Sequence, residues 1–150
     1  MKNSKFLKDL SFGKAYEKEA FKYFPNSTSF EFSVGRDKRY DVKFLCGDKE
    51  AIFVEVKADR LGKKTGNIAI EYECNNLPSG ISTTTSDYWL YFVEEVGVFK
   101  FPIKELRTLF FENNFRKVSG GDGWRSRMKL IPITSLEKWR VDIMSCQQEP

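Results

Sequence analysis

Two charged side chains interrupt the hydrophobic run FVEVKAD at residues 53–59. If this run is a strand, successive side chains alternate between its faces, so Glu55 and Lys57 share the face opposite Val54 and Val56. A carboxylate and an ammonium are costly on a buried strand unless they are paired, hydrated or bound to a metal ion. The run is therefore a candidate for chemistry, and an ion pair on a solvated edge strand is the alternative.

A second carboxylate lies fourteen residues upstream, at Asp41 in the alternating run RYDVKFL. A hairpin turning at Gly47 and Asp48 would bring Asp41 and Glu55 to neighbouring positions on one face. Two carboxylates, a backbone carbonyl and several waters suit Mg²⁺, which prefers oxygen ligands. A nearby lysine would orient an attacking water or stabilise transition-state charge, so the pattern indicates metal-dependent phosphodiester hydrolysis.

The amino-acid composition restricts the kinds of catalytic and metal site that are possible, because the 150-residue chain contains no histidine. This excludes Ser-His-Asp and Cys-His catalysis as well as metal sites that need imidazole. The three cysteines are far apart and form no CxxC pair, which predicts neither a disulfide framework nor a four-cysteine zinc site. We expect an intracellular, cytoplasmic protein with no membrane segment. A net charge of +4 permits a polyanionic partner.

The apolar pattern predicts an α/β or α+β fold, with one mixed β-sheet and flanking helices. A helix over residues 11–24 ends at Pro25. Four alternating runs predict strands of one sheet, at residues 29–34, 39–45, 50–58 and 67–74. The later elements are a short helix within 78–87, strands at 87–95 and 98–101, a helix at 103–113, a glycine-rich basic loop at 119–127, a strand at 128–133 and a final helical turn at 134–139.

An Asp, thirteen further residues and then Glu-x-Lys on a hydrophobic strand resemble the PD-(D/E)XK nuclease superfamily. The superfamily core is a helix, a three-stranded meander, a helix and a further strand, and the predicted order is similar. The resemblance implies a restriction-endonuclease-like core over about residues 11–95. We expect one nuclease domain over residues 1–150, in which 96–150 add the C-terminal helix, basic loop and strand. The runs TGNIAIEYE, SGIS and DYW also look like phage-type members, which favours a phage origin.

The resemblance also implies roles for individual residues. Asp41 and Glu55 would bind Mg²⁺, for which Mn²⁺ would substitute, with the Val56 backbone carbonyl as a further ligand. Lys57 would be the catalytic lysine. Many members carry an auxiliary glutamate on the first helix, and Glu17 has that place here.

Other acidic and hydroxyl residues are assigned less directly. Helix periodicity does not separate Glu17 from Glu19, whereas the family spacing favours Glu17. Glu71 would lie either near the metal or on a solvated edge. The hydroxyls from Ser79 to Thr85 would either contact phosphates or cap a helix.

Three basic clusters are candidates for phosphate contacts with DNA. They are Arg36, Lys38 and Arg39; Arg60, Lys63 and Lys64; and Arg125, Arg127 and Lys129. We expect the first two clusters to border the metal site. The third belongs to the glycine-rich loop with Trp124, which would either close on a nucleic acid or form an ordinary hairpin.

The sequence therefore predicts a Mg²⁺-dependent DNA endonuclease. A homodimer is expected, since two DNA strands need two active sites. The alternatives are a non-catalytic DNA-binding or anti-defence module on the same fold, and a structural or protein-interaction domain.

Overall fold

The computed structural model describes residues 14–33, 40–143 and 146. The described part opens with helix α1 over residues 14–19, which continues as a 3₁₀ turn, Ala20–Tyr23. Ala20 and Phe24 are buried at its end, so the predicted first helix is confirmed where it is described. None of the described helices is long and apolar enough to cross a bilayer.

The described residues form two β-sheets and two further helices. Helix α2 is Gly62–Thr65 and helix α3 is Ile103–Glu112. The first sheet has the order β1-β2-β3-β6-β7-β10 and the second the order β5-β4-β9-β8. The strands are β1 Ser29–Phe32, β2 Val42–Cys46, β3 Lys49–Asp59, β4 Asn67–Cys74, β5 Leu77–Pro78, β6 Tyr88–Val93, β7 Gly97–Pro102, β8 Arg116–Gly120, β9 Ser126–Pro132 and β10 Arg140–Val141.

The predicted hairpin between β2 and β3 is confirmed, and it turns at Gly47 and Asp48. The prediction that β4 joins the same sheet is wrong. On its far side β3 pairs in parallel with β6, and β4 lies in the second sheet beside β9. Alternation shows that a segment is a strand with one buried face, but it does not name the partner strand.

Both faces of the first sheet are covered by apolar side chains. On one face, Val42, Phe44 and Val54 pack with Ala20 and Phe24 from the first helix. On the other face, a larger core joins the first sheet to the second sheet and α3. Its buried members include Trp89, Tyr91, Phe99, Phe101, Ile68, Ile70, Ile131, Leu106 and Phe110.

Several elements depart from the sequence predictions. The glycine-rich loop is a tight hairpin: β8 runs to Gly120, a 3₁₀ turn covers Asp122–Trp124, and β9 begins at Ser126. Strand β8 was missed because its sequence, RKVSG, has one apolar residue. The short helix within 78–87 is a 3₁₀ turn, Gly80–Ser82. The final helical turn is a pair of 3₁₀ turns, Ile133–Ser135 and Glu137–Trp139.

Lys129 has a structural role that the sequence did not predict. Its side chain is buried, and its Nζ donates to the carbonyls of Phe110 at 2.7 Å and Asn113 at 3.3 Å. These carbonyls lie at the C-terminus of α3, where a cation is favourable. Burial, followed by the charge of Lys117, lowers the pKa of Lys129. Its assignment to a phosphate-binding cluster is therefore corrected.

We predict that Lys129→Met lowers the free energy of unfolding by roughly 1–3 kcal/mol, because the end of α3 loses a charged hydrogen-bond donor. Urea unfolding measures the change. The matched control is Lys117→Met on the opposing position of β8, where the side chain is exposed. Equal effects of the two substitutions would contradict the capping role.

Candidate active site

The β2–β3 register places Asp41 beside Glu55. Val42 pairs with Val54, and the Asp41 N–H donates to the Val54 carbonyl at 3.0 Å. The Asp41 carboxylate then accepts a hydrogen bond from the Val56 N–H at 2.7 Å. The side chain of Asp41 thus occupies the place on the β3 edge that a continued β2 backbone would take.

Glu55 and Lys57 lie on the face of β3 that is directed toward the second sheet. Their side chains form an ion pair, with Lys57 Nζ 3.1 Å from Glu55 Oε1. The Glu55 side chain is 14% exposed and that of Lys57 is 45% exposed. The Lys57 side chain is therefore about half-exposed, while the Glu55 side chain is largely covered. Lys57 Nζ also lies 5.7 Å from the centre of the Trp89 ring.

The structure separates the two glutamates of the first helix. Burial, followed by the negative charge of Asp41, raises the pKa of Glu17. The charge of Glu17 also acts on Glu55. Glu19 instead forms an exposed ion pair with Lys22 at 2.9 Å. Glu17 is therefore the glutamate of this helix that lies near Asp41 and Glu55.

Negative charge is concentrated at this end of the sheet. Burial raises the pKa of Asp41, and the Val56 N–H and Lys57 offset only part of that effect. Burial also raises the pKa of Glu55, with Lys57 lowering it and Asp41 raising it further. Burial opposes the charge on Lys57, but Glu55 and Asp41 outweigh it and leave the pKa of Lys57 above its ordinary value. The carboxylates would gain from an additional cation.

The Val56 carbonyl belongs to the same edge. On the β6 side, the Phe53 N–H donates to the Asp87 carboxylate at 2.9 Å, and the Phe53 carbonyl accepts from the Asp87 backbone N–H at 2.7 Å. In a strand, the N–H and the carbonyl of one residue point to the same neighbouring strand, and those of the next residue point to the other side. Val56 lies three positions after Phe53, so its N–H and its carbonyl both point to the opposite side of β3, toward β2.

These donors fit a hard divalent cation that retains water. Among the described residues, no group of three or more His, Cys, Asp or Glu side chains could hold a metal ion. Mg²⁺ is commonly held by one or two carboxylates together with several waters. Asp41 and Glu55, with the Val56 carbonyl beside them, match that ligand set.

A solvent-filled cleft of about 870 Å³ adjoins Lys57. Its floor is the end of β3 and the segment that leads into α2, and its opposite wall is formed by β4 and β9. Lining residues include Lys57, Asp59, Arg60, Asn67, Glu71, Trp89, Met128 and Leu130. The Lys57 side chain and several apolar side chains therefore line the same cleft.

Glu71 reaches the cleft from the second sheet. Its carboxylate accepts hydrogen bonds from the Ser79 hydroxyl at 3.1 Å and the Ser126 hydroxyl at 2.6 Å. Its charge also acts on Lys57 and helps to raise the pKa of that lysine. Ser79 therefore does not cap the following 3₁₀ turn. Alternation along β4 made Glu71 a candidate, whereas no sequence signal indicated Ser126.

The basic clusters are only partly assembled around the cleft. Arg60 lines it, whereas Lys63 forms an exposed ion pair with Glu95 at 3.2 Å. Lys64 is exposed on α2. Arg127 pairs with Glu73 at 3.4 Å, and Arg125 is exposed at the β8–β9 turn. The cluster of Arg36, Lys38 and Arg39 lies outside the described residues.

Comparison with solved structures identifies the fold. A bacterial homing endonuclease, I-Ssp6803I, matches with a TM-score of 0.52 at 20% sequence identity, over 86% of this chain and 79% of that chain. The Holliday junction resolvase Hjc of Archaeoglobus fulgidus matches with a TM-score of 0.49 at 8% identity, over 92% and 98%. No protein-family model and no curated protein matches the sequence. The predicted mixed α+β class is confirmed, and the chain shares its fold with that homing endonuclease.

We predict that Gly80→Ala destabilises the protein more than Gly66→Ala does. Both glycines have positive φ, at +54° and +75°, so both substitutions share that backbone cost. A Cβ at Gly80 would collide with the Glu71 carbonyl, whereas Gly66 has open space. The additional cost should be roughly 1–3 kcal/mol, measured by urea unfolding. Equal losses would show that Gly80 does not pack tightly against β4.

We also predict that Asp41→Asn raises the melting temperature at neutral pH in metal-free buffer. The folded protein raises the pKa of Asp41, so the ionised carboxylate costs stability above that pKa. The cost disappears as pH falls through the folded pKa toward the ordinary value. Thermal unfolding at pH 7 in metal-free buffer measures the gain.

Asp48→Asn at the exposed hairpin turn is the matched control. This substitution removes a carboxylate charge at an exposed position, where the charge is not buried. The melting temperature of the variant should therefore equal that of the wild type. The Asp41→Asn advantage should also shrink in acid. A gain that persists unchanged to low pH would contradict the electrostatic explanation.

Proposed function

We propose that the chain is a metal-dependent DNA endonuclease of the PD-(D/E)XK type that hydrolyses phosphodiester bonds. The observation that carries this proposal is the meeting of Asp41, Glu55 and Lys57 at one end of β2 and β3, beside an open cleft. The nuclease-type fold supports it. Neither observation depends on the short sequence motif alone.

Asp41, Glu55 and the Val56 carbonyl would hold Mg²⁺ or Mn²⁺, with Glu17 contributing directly or through a water. A divalent ion bound there supplies Lewis acidity toward a phosphoryl oxygen and lowers the pKa of an attacking water. Among these carboxylates Lys57 keeps its proton, so its Nζ donates to the phosphate and stabilises the charge that grows in the transition state.

DNA would enter along the cleft. Arg60 lies in its lining and Lys64 is exposed on the adjacent α2, so we expect both to contact phosphates. Such contacts position the strand without reading its sequence. We therefore expect binding that weakens steeply with salt, because each neutralised phosphate releases counterions.

A homodimer belongs to the same proposal, since the described residues of one chain form one such site and a duplex has two strands to cut. Sedimentation of the protein with and without DNA measures its oligomeric state. A monomer that introduces only single-strand nicks would separate the nuclease activity from dimer formation.

We predict Mg²⁺- or Mn²⁺-dependent cleavage when the protein is incubated with supercoiled, linear, single-stranded or branched DNA, and none in EDTA. Lys57→Ala should slow cleavage about 100- to 1,000-fold, the usual cost of removing one donor that stabilises transition-state charge. Lys49→Ala is the matched control, because Lys49 is an exposed lysine at the opposite end of β3. Initial rates on gels measure the effect.

Metal binding has an independent readout. Mg²⁺ or Mn²⁺ should raise the melting temperature of the wild type and of Lys49→Ala, but not that of Glu55→Gln. If no DNA is cut with any metal, and Lys57→Ala behaves as the wild type does, the nuclease proposal fails. Salt-sensitive DNA binding without cleavage would then favour a non-catalytic DNA-binding module.

A further inference from the structure

Trp124 is a large aromatic side chain displayed in water at the tip of the β8–β9 hairpin. It is 76% exposed, whereas Trp89 is 1% exposed and Trp139 is half-buried. Buried tryptophans are explained by core packing, and Trp89 belongs to the larger core. Trp124 has no such explanation in the described part of the chain.

The backbone around Trp124 is held at several points. Its N–H donates to the Gly121 carbonyl at 3.2 Å, and the Arg125 carbonyl accepts from the Asn75 N–H at 3.1 Å. The Ser126 hydroxyl donates to Glu71 at 2.6 Å. Trp124 also has a φ of +57°, a conformation that residues other than glycine rarely adopt. The turn therefore presents the indole from a fixed and strained position.

The turn sequence carries one acidic residue, Asp122, and one basic residue, Arg125, on either side of Trp124. Arg125 follows Trp124 directly and has no ion-pair partner among the described residues, and Lys117 is exposed on the neighbouring strand. Proteins that bind single-stranded nucleic acids combine cationic side chains with aromatic rings on which bases stack. An exposed indole beside an arginine has that composition.

Strand β9 connects the turn to the candidate active site. Met128 and Leu130 line the cleft together with Lys57. Met128 lies four positions after Trp124, which is at most about 14 Å of extended chain. That span is comparable to roughly four base steps of 3.4 Å along one strand. A strand in the cleft therefore passes within a few nucleotides of Trp124.

We propose that Trp124 is a stacking platform for an unpaired base of the substrate, so that the protein prefers DNA with a single-stranded segment beside the cleavage site. In a continuous duplex each base is covered on both faces by its neighbours, and only unpaired or terminal bases can stack on the indole. The inference rests on the proposed function, because it takes the occupant of the cleft to be a nucleic acid strand.

The test is a titration in EDTA, so that binding is measured without cleavage. Oligothymidine should quench the tryptophan emission of the wild type and of Trp139→Phe, because the accessible indole remains in both. A duplex with a central single-stranded bulge should compete for binding better than the same duplex without the bulge. Anisotropy of a labelled oligothymidine gives the affinity of variants that lack the indole.

Trp124→Leu should weaken oligothymidine binding about 5- to 100-fold, the range seen when one stacking contact is removed. Trp124→Phe should recover most of that affinity, since a phenyl ring also stacks. The matched control is Phe111→Leu, which alters another exposed aromatic residue on α3 and should bind as the wild type does.

Unchanged affinity in Trp124→Leu overturns the proposal, as does equal competition by the bulged and continuous duplexes. If the wild type nevertheless cuts DNA with metal and Lys57→Ala does not, the proposed function stands without this inference. If no nucleic acid binds and none is cut, both fail and a protein partner becomes the favoured occupant of the exposed indole.

Discussion

The hydrogen bond from the Val56 N–H to the Asp41 carboxylate is the interaction on which the candidate site depends. Strand β2 begins at Val42, and among the described residues no strand pairs with this edge of β3 beyond that point. A carboxylate fills this place instead of a backbone carbonyl. The Asp41 carboxylate satisfies the Val56 N–H and at the same time places a negative charge next to Glu55 and Lys57.

The two faces of β3 make that arrangement possible. On one face Val54 packs with the first helix and stabilises the sheet, while the other face carries the ion pair toward the second sheet. Because β4 pairs with β9 rather than β3, the two sheets separate enough to leave a cleft above Lys57. Glu71, held by two serine hydroxyls, lines that opening. The first sheet thus supplies the candidate catalytic groups, and the second sheet shapes access to them.

Not every lysine in a basic chain is available to a polyanion. Lys129 is buried at the end of α3, and Lys100 donates to the Tyr23 carbonyl at 3.0 Å, at the end of the first helix. Each neutralises the partial negative charge of exposed helix carbonyls. Lys63 and Arg127 are paired with glutamates. The 25 lysines and arginines of the sequence therefore overstate the cationic surface that DNA could use.

The sequence by itself determined most of the strands, the β2–β3 hairpin and the meeting of Asp41, Glu55 and Lys57, because alternation and turn residues act between neighbours in the chain. Only the tertiary structure decided that Glu17 rather than Glu19 lies near the site, that β4 belongs to a second sheet and that a cleft adjoins Lys57. Those outcomes depend on packing between distant segments. An alternating pattern records which face of a strand is buried, but not what covers it.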